Sequence, residues 1–384
     1  MNTPTTPTTP PTPPTPTSQS SQRDLLYSED EEALRAVVRG LLADHCDAAA
    51  VITRTESAEP HDRELWKALT DGMGLAGLLV PDELGGQGAT HREAALVLEE
   101  LGRAVAPVPY LTSAVIATEA LLACDSDAAR ELLGALASGR RIGVLTVPLA
   151  TAPGGILPDV RAEGQVLHGS VTGVADAVAA DVLLVPTSAG LFAVDAGLDG
   201  VTIVPQTSLD LTRPLATVTF EGARARVVGA RSGPAVRRGL RAGAGLLASE
   251  QLGLADWCLT ETVRHTKERH QFNRPVGSFQ ALKHRLAQLW LEVVNMRAAA
   301  RNAADTLAAG SEDADVAAAL AQAYASPATV HIAEEALQLH GGIGMTWEHP
   351  VHLYLKRAKA DSIALGTVGR HREELAALVD LPAP

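Results

Sequence analysis

Apolar residues recur at helical spacing over much of the chain, and the places where that spacing fails mark its joints. Leu34, Val37, Val38, Leu41 and Leu42 fit one predicted helix, opened by Ser28 and Glu31 in the S-x-x-E spacing of a capping box. A second helix includes Leu65, Trp66 and Leu69. Pro81, Gly85, Gly86 and Gly88 make a loop. Thr90 and Glu93 then cap a helix with Ala94, Ala95, Leu98 and Leu101 at its apolar positions, and Pro107 and Pro109 end it. Ala-Leu runs continue the helical pattern through 111–140.

At Arg141 the pattern changes. Val144–Val147, Val166–His168, Val182–Val185, Leu191–Val194, Val201–Val204 and Ala216–Phe220 are short β-rich runs separated by Gly, Pro, Asp and Ser. No helix-length segment interrupts them, so they predict an antiparallel sandwich or barrel rather than a parallel βαβ sheet. After Gly229 the helical period returns, with Leu282, Leu286 and Leu289 able to share a face. The expected fold class is α+β, in four parts: a tail (1–22), a helical domain (23–140), a central antiparallel β domain (141–229) and a helical domain (230–384).

Composition narrows the function classes. The 384 residues are 46% apolar and 20% charged, enough for a large core, but only 3% aromatic, so Ala, Leu and Val must build it. A net charge of −13 argues against a nucleic-acid surface. Cys46, Cys124 and Cys258 match no metal or redox spacing and read as small buried hydrophobes in a reducing compartment, with a cytoplasmic location expected. No run of 18 apolar residues suggests membrane insertion. Residues 1–22, nearly all Pro, Thr, Ser and Gln, are expected to be disordered.

Two stretches carry candidate chemistry. In 261–289, the basic cluster Arg264, His265, Lys267, Arg269, His270 and Arg274 runs into Phe272 and Asn273-Arg274-Pro275, where two helices are expected to meet. Such a loop can hold an anion and stack an aromatic ring, or be simply a solvated basic helix end. In 333–344, a helix is broken by Gly341-Gly342 and Gly344, which either admit something close to the backbone or cap the helix.

Together these stretches resemble the acyl-CoA dehydrogenase family over about residues 28–380. The resemblance rests on the Gly74–Gly88 pattern, on R-x-Q-F-x-x-P-x-x-x-F-Q at Arg269–Gln280, on Q-x-H-G-G-x-G at Gln338–Gly344 and on Gly366-Thr367, in order. It implies an N-terminal helical domain, a central β domain and a C-terminal four-helix bundle, with FAD as cofactor. The resemblance assigns Arg269 to the pyrophosphate of a neighbouring subunit's FAD, Gln271 and Phe272 to its adenosine side, and Gln338, Gly341 and Gly342 to its ADP half. It assigns Thr367 and Thr146 to the flavin ring. The implied reaction is α,β-dehydrogenation of an acyl-CoA thioester. A carboxylate removes the α-proton, the β-hydrogen leaves as hydride, and the backbone N–H of Leu365 supports the thioester oxygen.

The chain departs from the pattern where the base belongs. Leu365 stands where many members carry the catalytic Glu before Gly-Thr, and Gly243 fills the second known position, 26 residues before Arg269. Losing a general base costs about 10²–10⁴ in rate. Glu250, two turns after Gly243 among Leu246, Leu247, Leu252 and Leu254, is the best in-chain substitute, on the expectation that apolar neighbours raise its pKa; the alternative is a surface or buried ion-paired glutamate. Val147 replaces the acid of the β-domain loop, and no Trp occurs between Trp66 and Trp257 to stack on the flavin. The segments LDLTRPLATVTFEGA and GMTWEHPVHLYLKRA are similar to actinobacterial members, some of which are heterotetramers on steroid side-chain CoA esters that share one flavin site. Three readings stand: a subunit completing a partner's flavin site, a homotetrameric enzyme using Glu250, and a scaffold without flavin. The first two imply an electron-accepting flavoprotein as a further partner.

Overall fold

The computed structural model describes residues 25–57 and 59–382. The Pro/Thr-rich segment 1–22 lies outside them. Helices occupy the first part of the described chain: α1 (Glu29–His45), α2 (Ala48–Thr55), α3 (Arg63–Asp71), α4 (His91–Arg103), α5 (Thr118–Leu122) and α6 (Asp127–Ala137). Both expected capping boxes form. Ser28 accepts from Glu31 N while Glu31 takes the Ser28 amide at the start of α1, and Thr90 and Glu93 do the same for α4. The segment after Pro107 and Pro109 winds as a π-helix, Tyr110–Ala117, before it tightens into α5.

The strands follow as β1 (Gly143–Leu145), β2 (Arg161–Glu163), β3 (Val166–Ala175), β4 (Val182–Thr187), β5 (Gly190–Asp195), β6 (Val201–Gln206), β7 (Leu215–Arg224) and β8 (Arg226–Gly229). They form two four-stranded sheets ordered β1-β4-β5-β8 and β2-β3-β7-β6. Pairing is antiparallel except between β1 and β4, which run parallel with Gly143 opposite Val182. β1 ends at Leu145, so Thr146 and Val147 fall in the loop that leads towards the helical bundle.

The last third begins with the 37-residue helix α7 (Ser232–Glu268). A hairpin of β9 (His270–Gln271) and β10 (Arg274–Pro275) turns the chain into α8 (Gln280–Ala308), followed by α9 (Ala314–His340), α10 (Val351–Asp361) and α11 (Val368–Leu378). α7 packs on α4, α8 and α9, and the short α10 and α11 close the bundle against α9. Leu289 is buried on α8 with Leu286 half-buried against the same core. One apolar cluster runs without a break from α1 through both sheets to Leu365. Glycines let the helices approach closely: an added Cβ on Gly102 would sit 2.2 Å from the Glu250 carbonyl, and one on Gly253 1.9 Å from the Glu99 carbonyl.

Candidate functional site

The two motif-bearing stretches meet. Arg269 and Gln271, at the end of α7 and in β9, line one cavity of about 530 Å³ with Gln338, Gly341 and Gly342 from the end of α9. His265, Val276, Leu282, Arg285, His340 and Ile343 complete the wall. Arg269 is exposed and makes no ion pair among the described residues, so its guanidinium is available to an anion. Gly341 has φ 62° and ψ −139°, a conformation that favours glycine, and it ends α9. Nothing lies within 4 Å of a Cβ built on Gly341 or Gly342. Packing within the chain therefore gives no reason for the absence of side chains at either position.

The hairpin places Phe272 beside this cavity rather than in it. Gln271 pairs with Arg274, leaving Phe272 and Asn273 as the two-residue turn, with φ of 50° and 60°. That geometry suits Asn and Gly. Phe272 holds it at a cost of roughly 1–2 kcal/mol while 85% exposed, its ring edge-on to Phe279 at 6.1 Å. Arg274 lies over the Phe279 ring at 3.9 Å.

The region where a base and an oxyanion donor were expected is sealed. A Cβ on Gly243 would meet Ile116 Cγ1 at 2.7 Å and Leu365 Cδ1 at 3.1 Å, so the two positions without a carboxylate face each other across an apolar contact. Leu365 is buried in the left-handed region with φ 54°. Its amide was expected to remain a donor for substrate; instead it donates to the Leu149 carbonyl at 2.7 Å. The loop after β1 brings Leu149 there, and an added Cβ on Gly366 would touch Ala152 at 3.0 Å. Thr146 is wholly buried, with its backbone N–H bonded to Leu184 and its Oγ1 without a partner among the described residues. Thr367 is exposed and caps α11, accepting from Arg370 N at 3.3 Å.

Glu250 requires a correction. Its sequence neighbours are leucines, but its carboxylate faces two arginines from distant segments. Arg213 donates from Nη2 to both oxygens at 2.8 and 2.6 Å, and Arg357 Nη1 donates at 2.7 Å. Burial pushes the carboxyl up, but the two guanidiniums outweigh it and hold the group below its usual range, opposite to the shift a general base needs. Arg357 also donates from Nε to Asp210 at 2.5 Å and from Nη2 to Thr212 at 2.6 Å, and Arg213 Nη1 donates to Asp361 at 2.9 Å. All these groups are buried. The network ties the 210–213 loop of the β domain to α7 and α10. The basic pair Arg237-Arg238 is also engaged, by Asp315 and Glu119.

The family models for the acyl-CoA dehydrogenase N-terminal and C-terminal domains match residues 28–140 and 233–379. The chain is 37% identical over 342 residues to the acyl-CoA dehydrogenase IpdE2 of Mycolicibacterium smegmatis, covering 88% of this chain and 95% of the relative. Among solved structures it is similar to the ChsE4-ChsE5 complex from Mycobacterium tuberculosis, at TM-score 0.82 and 29% identity over 94% of this chain and 100% of that one. It is equally similar to a variant of the Tcur3481-Tcur3483 steroid ACAD, with TM-score 0.82, 29% identity, and 92% and 98% of the two chains covered. With both terminal domains matched and two motifs of the C-terminal one drawn to one cavity, the chain belongs to the acyl-CoA dehydrogenases, a family of FAD-dependent oxidoreductases.

Proposed function

We propose that this chain is the subunit that completes a flavin site for a catalytic acyl-CoA dehydrogenase partner, and that the pair carries out α,β-dehydrogenation of an acyl-CoA thioester. The observation that carries this reading is the contrast between two ends of the molecule. The residues assigned to the ADP half of FAD line an open cavity, whereas the in-chain acyl site has neither base nor donor, its Leu365 amide being held by Leu149. The residues therefore fit the ADP half of the cofactor and not its reacting ring.

In this reading Arg269 pairs with the pyrophosphate, Gln271 and Gln338 hydrogen-bond the nucleotide, Gly341 and Gly342 let it lie on bare backbone, and Phe272 covers the adenosine. Thr367 and Thr146 are assigned to the flavin ring by the resemblance alone, and Thr146 is shut off from any ligand by burial. FAD supplies the hydride acceptor; the partner supplies the carboxylate that takes the α-proton. Likeness to a steroid-acting relative favours steroid or lipid CoA esters as the substrate class, with an electron-accepting flavoprotein downstream. Glu250 as base is disfavoured by its two arginine partners.

The test is flavin counting. Expressed alone, the chain is expected to hold little flavin and to leave acyl-CoA unoxidised. Co-expressed with a neighbouring dehydrogenase gene, it yields a yellow heteromer with one FAD per pair, and Arg269→Met in this chain lowers that flavin content at least tenfold without separating the subunits. Stoichiometric flavin and turnover by the chain alone would overturn the reading, as would flavin content indifferent to Arg269.

A further inference from the structure

One cluster of ligating side chains, which shares His340 with the cavity wall, has been given no chemical role above. Glu261 lies on α7, His340 is the last residue of α9, and His349 lies in the turn before α10. Each offers one ligand atom, and these atoms lie within 4.8 Å of one another. The His340 ring is 4.4 Å from that of His349, and 4.6 Å from that of His265, one helical turn after Glu261.

His340 gives the cluster its chemical character. It is 4% exposed, and its Nδ1 meets the Ala336 carbonyl at 2.7 Å. A bond to a carbonyl requires the proton on Nδ1, which leaves Nε2 as a bare lone pair. That Nε2 is buried and has no hydrogen-bond partner among the described residues. A buried acceptor without a partner is unfavourable, and the same arrangement, ring N–H on a carbonyl and the other nitrogen free, is how proteins orient a metal-binding histidine.

The geometry points to a site for a zinc-like divalent cation held by Glu261, His340 and His349. A tetrahedral zinc with bonds near 2.0–2.1 Å places its ligands about 3.3 Å apart, so modest rotations of the half-buried Glu261 and His349 side chains close the set. Two existing contacts yield. Arg264 pairs with both Glu261 oxygens, but its side chain is 56% exposed and can swing into solvent. The Val351 amide donates to His349 Nδ1 at 3.3 Å, a long contact that ends when the ring changes tautomer, its proton moving to Nδ1 and Nε2 binding the metal. The fourth position belongs to water or to His265. The ion would pin the ends of α7 and α9 to the 345–350 turn and so fix one wall of the cavity. The inference does not depend on the flavin reading, because metal content and flavin content are measured separately.

The untagged protein, purified with its partner if that is how it is stable, is stripped with a chelator and dialysed against zinc or cobalt. One equivalent of zinc per copy of this chain is expected to survive desalting. Cobalt should give visible absorption bands to the red of the flavin bands. Both signals fall at least tenfold in His349→Ala and in Glu261→Gln, and persist in His331→Ala, which removes a histidine outside the cluster. His349 and Glu261 are only half-buried, and circular dichroism checks that their variants fold. No stoichiometric metal, or metal retained equally by His349→Ala, overturns the proposal and leaves the cluster as packed neutral imidazoles.

Discussion

At the scale of single residues, charge balance decides how the buried network works. Arg213 and Arg357 face three carboxyls, Glu250, Asp210 and Asp361. Two positive charges against three negative ones leave an excess, and the group that gives way is Asp361. Its Oδ1 accepts from Arg213, but its Oδ2 has no partner among the described residues, and burial followed by the charge of Glu250 pushes its pKa well above the ordinary carboxyl range. A raised carboxyl pKa means the folded protein keeps a proton that the unfolded chain releases. The stability linked to Asp361 is thus complete below the unfolded pKa of about 3.9 and declines as pH rises above it. Asp361→Asn removes that penalty, so urea denaturation at a pH of about 7 should find it at least as stable as the parent, with the difference shrinking as the pH falls to about 4. Glu250→Gln behaves oppositely. It strands two buried guanidiniums and is expected to cost about 3–5 kcal/mol, seen as an earlier urea midpoint at neutral pH. Glu250 has a lowered pKa, so its contribution is present above the unfolded value and lost as pH falls through the folded one. None of this could be read from the residues flanking Glu250, because its partners stand 37 and 107 positions away.

At the scale of elements, the sequence revealed what depends on neighbouring residues and concealed what depends on folding. Both capping boxes, the joint at 273–275 and the break at Gly341 are set within a few residues, and all were legible. β2 and β8 were not, since β2 is largely exposed and β8 is only four residues long, so neither shows an apolar alternation. The closure around Leu365 was equally hidden. It rests on a backbone carbonyl, that of Leu149, meeting a backbone amide, and neither has a signature in side-chain type. Restoring the missing side chain should therefore not restore the reaction. Leu365→Glu would bury a carboxylate in an apolar contact with no free amide for the thioester oxygen. It is expected to destabilise the chain by several kcal/mol and to give no acyl-CoA turnover; measurable turnover would mean that the loop after β1 opens. The β9–β10 hairpin permits a sharper separation of fold and function. Phe272→Asn relieves the left-handed backbone, so thermal unfolding should occur at the same temperature or higher, while flavin retained by the heteromer falls severalfold. A loss of both would make Phe272 a packing residue.

At the scale of the whole molecule, α8 carries exposed apolar side chains beyond the cavity wall. Trp290 and Leu291 on α8 are 59% and 46% exposed, an apolar pair in a chain with few aromatics. They begin eight residues beyond Leu282 of the cavity wall, about 12 Å along the helix. A second dehydrogenase subunit that lays its flavin along the cavity has this stretch of α8 within reach, and a large exposed indole is the kind of side chain that dominates such contacts. Trp290 is not among the residues assigned to FAD, so it separates assembly from cofactor contact. Trp290→Glu is expected to weaken association with the partner by about 2 kcal/mol or more, close to thirtyfold, read by sedimentation of the purified heteromer across a dilution series. Flavin should leave in step with dissociation although Arg269, Gln338 and the paired glycines are intact. A heteromer that sediments unchanged would place the shared boundary elsewhere on the bundle. One that dissociates while this chain keeps its flavin would mean that the cavity grips the cofactor without a neighbour.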